Sequence, residues 1–331
     1  MNRITKISLV LALLFGLMAC GPVWENESSP VEVDLNAVWG TAEGDVFAVG
    51  AGGTVLQRKG GKWHQLNSGT TDDLYGIWGT GADHMLVVGD NCAALEYTGP
   101  VESEEELEDS VPEFRQLPVE TCGNFFDIDG VSSTSAMVVG EWVMQSYDGT
   151  GLRDMNRCGE RMLGVSYNAE GMAHAVGESG DFCTQVHGSW SKREIFFCPG
   201  GELVNGDCPT DRMSPVVWDV WVGEEGVGAA VGTYGGFWAY PFPEGYFWTP
   251  LETDLDSEFR AVHGWVDPEA LEDATTVYAV GTYGTMVRMK GIDVRFEVVG
   301  TNEDLNGVWV SPDGKDIYAV GAKGTIVHLR E

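Results

Sequence analysis

Positive charge is scarce in this chain of 331 residues, which has 19 Lys+Arg against 51 Asp+Glu and a formal net charge of −32. So acidic a surface excludes passive adhesion to nucleic acid or to anionic lipid. Histidine is rare too, with only six, and they form neither an H-E-x-x-H segment nor a close pair; G-x-S-x-G is missing as well. The usual motif signatures of zinc-dependent and serine hydrolases are therefore lacking. No C-x-x-C and no D-x-D-x-D-G loop is present, so no metal site, catalytic residue or cofactor is expected from motifs. Beyond the first 20 residues nothing carries a useful amphipathic 3.6-residue period, because turn residues interrupt every candidate. That excludes a helical repeat.

The N-terminus carries an address. Arg3 and Lys6 precede an apolar run from Ile7 to Leu17, which is too short to span a bilayer and has the build of a secretory signal. The run ends in Leu17-Met18-Ala19-Cys20-Gly21, which resembles the bacterial lipobox. The resemblance implies a signal peptide over 1–19, acylation of Cys20 with diacylglycerol and palmitate-type chains, a tether over 20–22, and a single domain over 23–331. It further implies a cell-envelope location, with Gly after the Cys favouring the outer membrane.

A repeat fills the rest. An apolar strand, a turn, a strand ending in Val-Gly, a tight turn and a third strand recur, most clearly from Leu35, Leu74 and Leu305. The Val-Gly signal ends at Gly50, Gly89, Gly140, Gly177, Gly232, Gly281 and Gly321, with spacings of 39, 51, 37, 55, 49 and 40 residues. These are blade lengths of a propeller, with insertions in the longer intervals. Segments such as Asp45-Val46-Phe47-Ala48-Val49-Gly50 are rich in β-branched and aromatic residues, as strands buried on both faces are. A fourth, aromatic strand is expected at residues 62–66, 189–191 and 247–249.

The expected fold is all-β: a seven-bladed β-propeller of four-stranded antiparallel sheets. The last copy supplies only three strands before Glu331. Trp24 stands 15 residues before Trp39, as Trp63 stands 15 before Trp78, so the N-terminal segment is expected to supply the missing strand and close the ring. The L-x-x-V-W-G and A-V-G-x-x-G-T patterns resemble exported bacterial propellers, and more distantly the photosystem II assembly-factor propellers. Those relatives imply a protein partner, but no arginine cluster is visible here to carry such a site over. Asp129 and Ser166 stand where other copies have Trp39 and Trp78, which implies a less regular inner surface in the third and fourth blades.

Alternating turns divide the ring into two faces. The turns after the second strands and the inter-blade connections form the upper face. The acidic insertion containing Glu102, Glu104, Glu105, Glu106, Glu108 and Asp109 falls on the lower face, as do Asp267, Glu269, Glu272 and Asp273. The Cys20 anchor joins them there, which turns the upper face outward. With Cys20 acylated, six cysteines remain, and nearest-neighbour bridges Cys92–Cys122, Cys158–Cys183 and Cys198–Cys208 are expected in an exported chain. Two residues after each Val-Gly lie Gly52, Asn91, Trp142, Ser179, Tyr234, Tyr283 and Lys323. Trp142, Tyr234 and Tyr283, with Glu141 and Glu178 nearby, are the candidate binding residues. The competing reading is that these aromatics only pack against the neighbouring blade. The function expected is non-catalytic binding of a protein or cell-envelope polymer, anchored to the membrane by lipid. The alternative is a carbohydrate-active enzyme with acidic residues on the upper face.

Overall fold

A computed structural model of the chain describes residues 23–99, 113–186, 188–195, 214–223, 227–240, 249–250, 258–270, 274–291 and 293–330. Cys20, Cys198, Cys208, the 102–109 acidic run, Glu272 and Asp273 lie outside them. The strands form seven four-stranded sheets. In the first, Leu35–Gly40, Val46–Gly50, Thr54–Lys59 and Lys62–Leu66 run up and down in sequence order. Val46–Gly50 is buried at every position, as its unbroken apolar sequence requires of a strand covered on both faces. Each sheet packs on the next through its own apolar cluster, and seven such clusters complete the circuit. The architecture is a β-propeller whose core is divided into wedges.

The ring closes through the N-terminal segment. Glu25–Asn26 pairs antiparallel with the last strand, Glu25 opposite His328 and Asn26 opposite Val327. Trp24 is buried against Tyr278 with ring centroids 6.2 Å apart at 75°, and Trp63 meets Tyr318 at 6.2 Å and 80°. The equal Trp spacing in the sequence thus becomes the same contact in two successive blades. Glu27 locks the seam: its carboxylate accepts bonds from Arg58 Nη2 at 2.8 Å and Trp63 Nε1 at 2.6 Å, and lies 3.2 Å from His328 Nδ1. Burial opposes ionisation there, but the bonds from His328, Arg58 and Trp63 prevail and hold the Glu27 carboxyl at about 2.

The innermost strands line an axial channel, and one packing rule accounts for the interrupted Trp pattern. Indole rings of Trp309, Trp39, Trp78 and Trp221 lie across Gly40, Gly79, Gly130 and Gly264 of the following blade, where an added Cβ would come within 2.6–2.9 Å of the ring. At the other three junctions the equivalent position holds Tyr167, Val222 or Val310, which an indole could not cross. There the preceding blade offers Asp129, Ser166 or His263 instead, accepting the N–H of Tyr167 at 2.7 Å, Val222 at 3.1 Å and Val310 at 3.2 Å. Inner-strand N–H groups face the channel unpaired by their own sheet and need an acceptor. The replacements in the third and fourth blades are therefore staples between blades rather than irregularities.

Candidate functional site

Each inner strand carries a bulge at its second residue. The extra residue re-aims a side chain and sets Asn36, Tyr75, Phe126, Leu163, Trp218, Arg260 and Asn306 around the channel, within a cavity of about 700 Å3. One arc of this ring, from Tyr75 to Trp218, is aromatic or aliphatic; the other is polar and internally bonded. Asn36 Nδ2 donates to Leu74 O at 2.8 Å, Asn306 Nδ2 to Leu35 O at 3.0 Å, and Arg260 Nη1 to Asn306 Oδ1 at 2.8 Å. Sequence reasoning missed this ring. Its signal is the phrase position that changes residue type from copy to copy just after an invariantly apolar residue: Leu35, Leu74, Phe125, Met162, Val217, Phe259 or Leu305.

Deeper in the channel stand Asp127, Asp129 and Asp219. Every oxygen accepts a backbone N–H: Asp127 from Ile128 and Val165, Asp129 from Gly130 and Tyr167, Asp219 from Val220 and Val262, all at 2.7–2.8 Å. Burial nonetheless dominates and raises all three, Asp129 and Asp219 to about 7, while the charge of Asp219 further lifts Asp127. Desolvation pushes the half-buried His263 nearby down to about 4, and it uses Nδ1 as an acceptor, which places its proton on Nε2. Among the described residues no cluster of three His, Cys, Asp or Glu is placed to hold a metal ion.

The upper face is built from the turns after the second strands. Asn91, Trp142, Ser179, Tyr234, Tyr283 and Lys323 all have φ between 51° and 63°, and Gly52 has φ 63°. All seven equivalent positions are thus left-handed, a conformation disfavoured for side chains other than glycine. Bonds to the next blade hold it: Gly52 N to Asp73 Oδ1 at 2.7 Å, Trp142 N to Glu160 O at 2.6 Å, Tyr283 N to Asp304 Oδ1 at 2.9 Å and Lys323 N to Asp34 Oδ1 at 2.9 Å. The aromatic side chains are not consumed by packing, since Trp142, Tyr234 and Tyr283 are 56%, 54% and 77% exposed. By contrast Trp78 and Trp309 are buried, and Trp39, Trp221 and Trp265 are partly buried against apolar clusters. Glu141 is half-buried and bridges to Arg161 through the backbone. Glu178 is exposed and accepts from Arg161 Nη1 at 2.8 Å.

Among the described residues, two disulfides brace this face. Cys92–Cys122 joins the turn of the second blade to the following connection, as its positions suggest. Cys158–Cys183 also forms, but it does not repeat that arrangement. Cys158 lies in the connection preceding the fourth blade, and Cys183 is buried in the third strand, Asp181–Val186. A small apolar thiol fits the interior of a two-sided strand, and turn position alone could not reveal it. Beside Trp142 a second concavity of about 820 Å3 is lined by polar side chains of the third and fourth blades.

No family model and no curated protein matches this sequence. Solved structures do match its fold. YCF48 bound to D1 peptide is similar with a TM-score of 0.68 and 14% identity, over 93% of this chain and 95% of that one. YCF48 from Cyanidioschyzon merolae gives 0.67 and 14%, over 93% and 98%. A catalytically inactive virginiamycin B lyase from Staphylococcus aureus, with quinupristin, gives 0.71 at 9% identity, over 94% and 100%. At such identities the likeness shows the propeller fold alone.

Proposed function

We propose that this protein is a non-catalytic binding propeller, attached to a bacterial cell envelope through Cys20, that captures a protein or envelope polymer on its upper face. One observation carries the reading: Trp142, Tyr234 and Tyr283 are held in left-handed backbone at the tips of equivalent turns and are more than half exposed. The repeated turn fixes this backbone through bonds to the next blade at Trp142 and Tyr283, at a cost of about 1–3 kcal/mol for a residue other than glycine, and the aromatic side chains it carries stay more than half exposed. Exposed aromatics with polar tips are suited to interfaces. A structural neighbour, YCF48, is bound to D1 peptide, which supports a protein ligand. The acidic insertions and the acylated Cys20 would share the opposite face, so that the aromatic face looks away from the bilayer.

Replacing each aromatic by glycine separates strain from function, because glycine is at ease at these φ values. Mild crosslinking and quantitative affinity purification from the native envelope should recover a stoichiometric partner with the wild type and lose it with Trp142→Gly, Tyr234→Gly and Tyr283→Gly combined. Thermal stability should hold or rise. Unchanged recovery, or a collapse of stability, would return these residues to packing.

The enzymatic alternative rests on the Asp129 and Asp219 carboxyls, raised to about 7 in an aromatic-lined cavity, a range suited to general acids. It is the weaker reading, because all their oxygens already accept backbone N–H groups, one of each pair from the neighbouring blade. Glycoside hydrolysis abolished by Asp129→Asn in a protein that still folds would reverse this preference.

A further inference from the structure

The concavity beside Trp142 has a chemistry unlike the rest of the upper face. Among the described residues its sole aromatic is Trp142 at the lip, and apart from Cys158 and Gly159 the remaining lining is polar or charged. Arg157, Arg161 and Lys192 meet Glu160, Glu178, Asp181 and Glu194 there, so the charges nearly cancel even though the chain carries −32. A highly charged ligand of either sign finds little to neutralise it. Two of the pairs are closed: Arg161 Nη1 lies 2.8 Å from Glu178 Oε1, and Lys192 Nζ lies 2.7 Å from Asp181 Oδ1. Closed pairs set fixed donors directly beside fixed acceptors. Vicinal hydroxyls, each of which both donates and accepts, match that arrangement.

Trp142 supplies the complementary apolar element. The Arg157 guanidinium lies 5.6 Å from its ring centroid, and the indole remains 56% exposed. The Cys158–Cys183 disulfide ties the lining residue Cys158 to the fourth blade, so the cleft is preorganised rather than assembled on binding. A peptide would bring apolar side chains to a lining that offers them one ring. A pyranose brings one apolar face and a rim of hydroxyls.

We infer that this cleft binds a neutral glycan, one sugar ring stacked on Trp142 and its hydroxyls bonded to the Arg161–Glu178 and Lys192–Asp181 pairs. The inference rests on the non-catalytic binding reading and names the ligand class for the Trp142 side of the face.

Titrating the folded domain with chitotetraose and with cellotetraose, followed by calorimetry and tryptophan fluorescence, tests it. At least one should bind saturably, with affinity changing less than about twofold between 0.05 and 0.5 M salt, as an uncharged ligand requires. Trp142→Gly should weaken binding about tenfold or more, Trp142→Tyr should restore most of it, and Tyr283→Gly should leave it intact. The inference fails if neither oligosaccharide saturates, if Trp142→Gly binds as well as wild type, or if polygalacturonate or a Glu-rich peptide binds the cleft more tightly than either. A partner still lost from the Tyr283→Gly protein in crosslinking, with no sugar bound, would sink the glycan and leave the binding face standing.

Discussion

Glu27→Gln is the sharpest perturbation of ring closure, because one carboxylate joins the N-terminal segment to Arg58 and Trp63 of the first blade and to His328 of the last. The Glu27 carboxyl falls from 4.5 to about 2 in the folded chain. At about 1.4 kcal/mol per unit this corresponds to an upper bound of roughly 3 kcal/mol at neutral pH. Partial exposure and salt screening bring the expectation to about 1–3 kcal/mol. For a group whose folded value is depressed, that stability is fully present above the unfolded value of 4.5 and is lost as the pH falls toward about 2. Urea unfolding of wild type and Glu27→Gln, followed by tryptophan fluorescence, should therefore show the variant weaker at pH 7, with the gap narrowing between pH 4.5 and 2. For a domain of this size the loss corresponds to a Tm shift of a few degrees, on the order of 2–4 °C per kcal/mol. An equal stability at pH 7, or a gap that stays constant down to pH 2, would refute the account of the seam as a charge-locked closure.

The channel carboxyls have the opposite sign. With folded values of about 7 for Asp129 and Asp219 and a raised Asp127, they contribute a slope by which stability falls as pH rises from about 4 to 7. His174 and His263, lowered to about 4, oppose it below 6.5. Thermal melts from pH 5 to 8 should show Asp129→Asn flattening the dependence while losing about 1–3 kcal/mol, since one amide N–H would face a backbone N–H. Gly264→Ala places a methyl 2.6 Å from the Trp221 ring and should cost about 1–3 kcal/mol; Trp221→Ser combined with it should be less than additive in a double-mutant cycle. Replacing Cys92 and Cys122 by Ser opens a link of sequence separation 30 and should cost up to about 3–4 kcal/mol, read by denaturant unfolding. Peptide mapping of the unreduced protein should find Cys198 joined to Cys208, and a pairing of either with another cysteine would remove the nearest-neighbour rule.

The blade phrase was legible because strands buried on both faces must be written in continuous apolar residues, and because a left-handed turn recurs two residues past each Val-Gly. That alone located Trp142, Tyr234 and Tyr283 and the Cys92–Cys122 bridge, whereas Cys183 lies in a buried strand that the turn pattern does not mark. Whether those aromatics were packing or presented was not legible. Exposure depends on how the next blade lies, and the Asp304 and Glu160 acceptors that pin the turns are 21 and 18 residues away from Tyr283 and Trp142.

The sequence by itself determined an all-β repeat and a closure in which Trp24 repeats the role of Trp63, since these follow from local composition and from equal spacing along the chain. The tertiary structure alone decided what crosses between blades: the indole-over-glycine contacts, the Asp129, Ser166 and His263 staples, the bulged ring at the channel and the charge-balanced cleft beside Trp142. Each depends on the residue that a neighbouring strand places opposite, and in a propeller that neighbour lies about 40 residues away along the chain. Periodicity states that the blades repeat, whereas only their packing states which side chains meet.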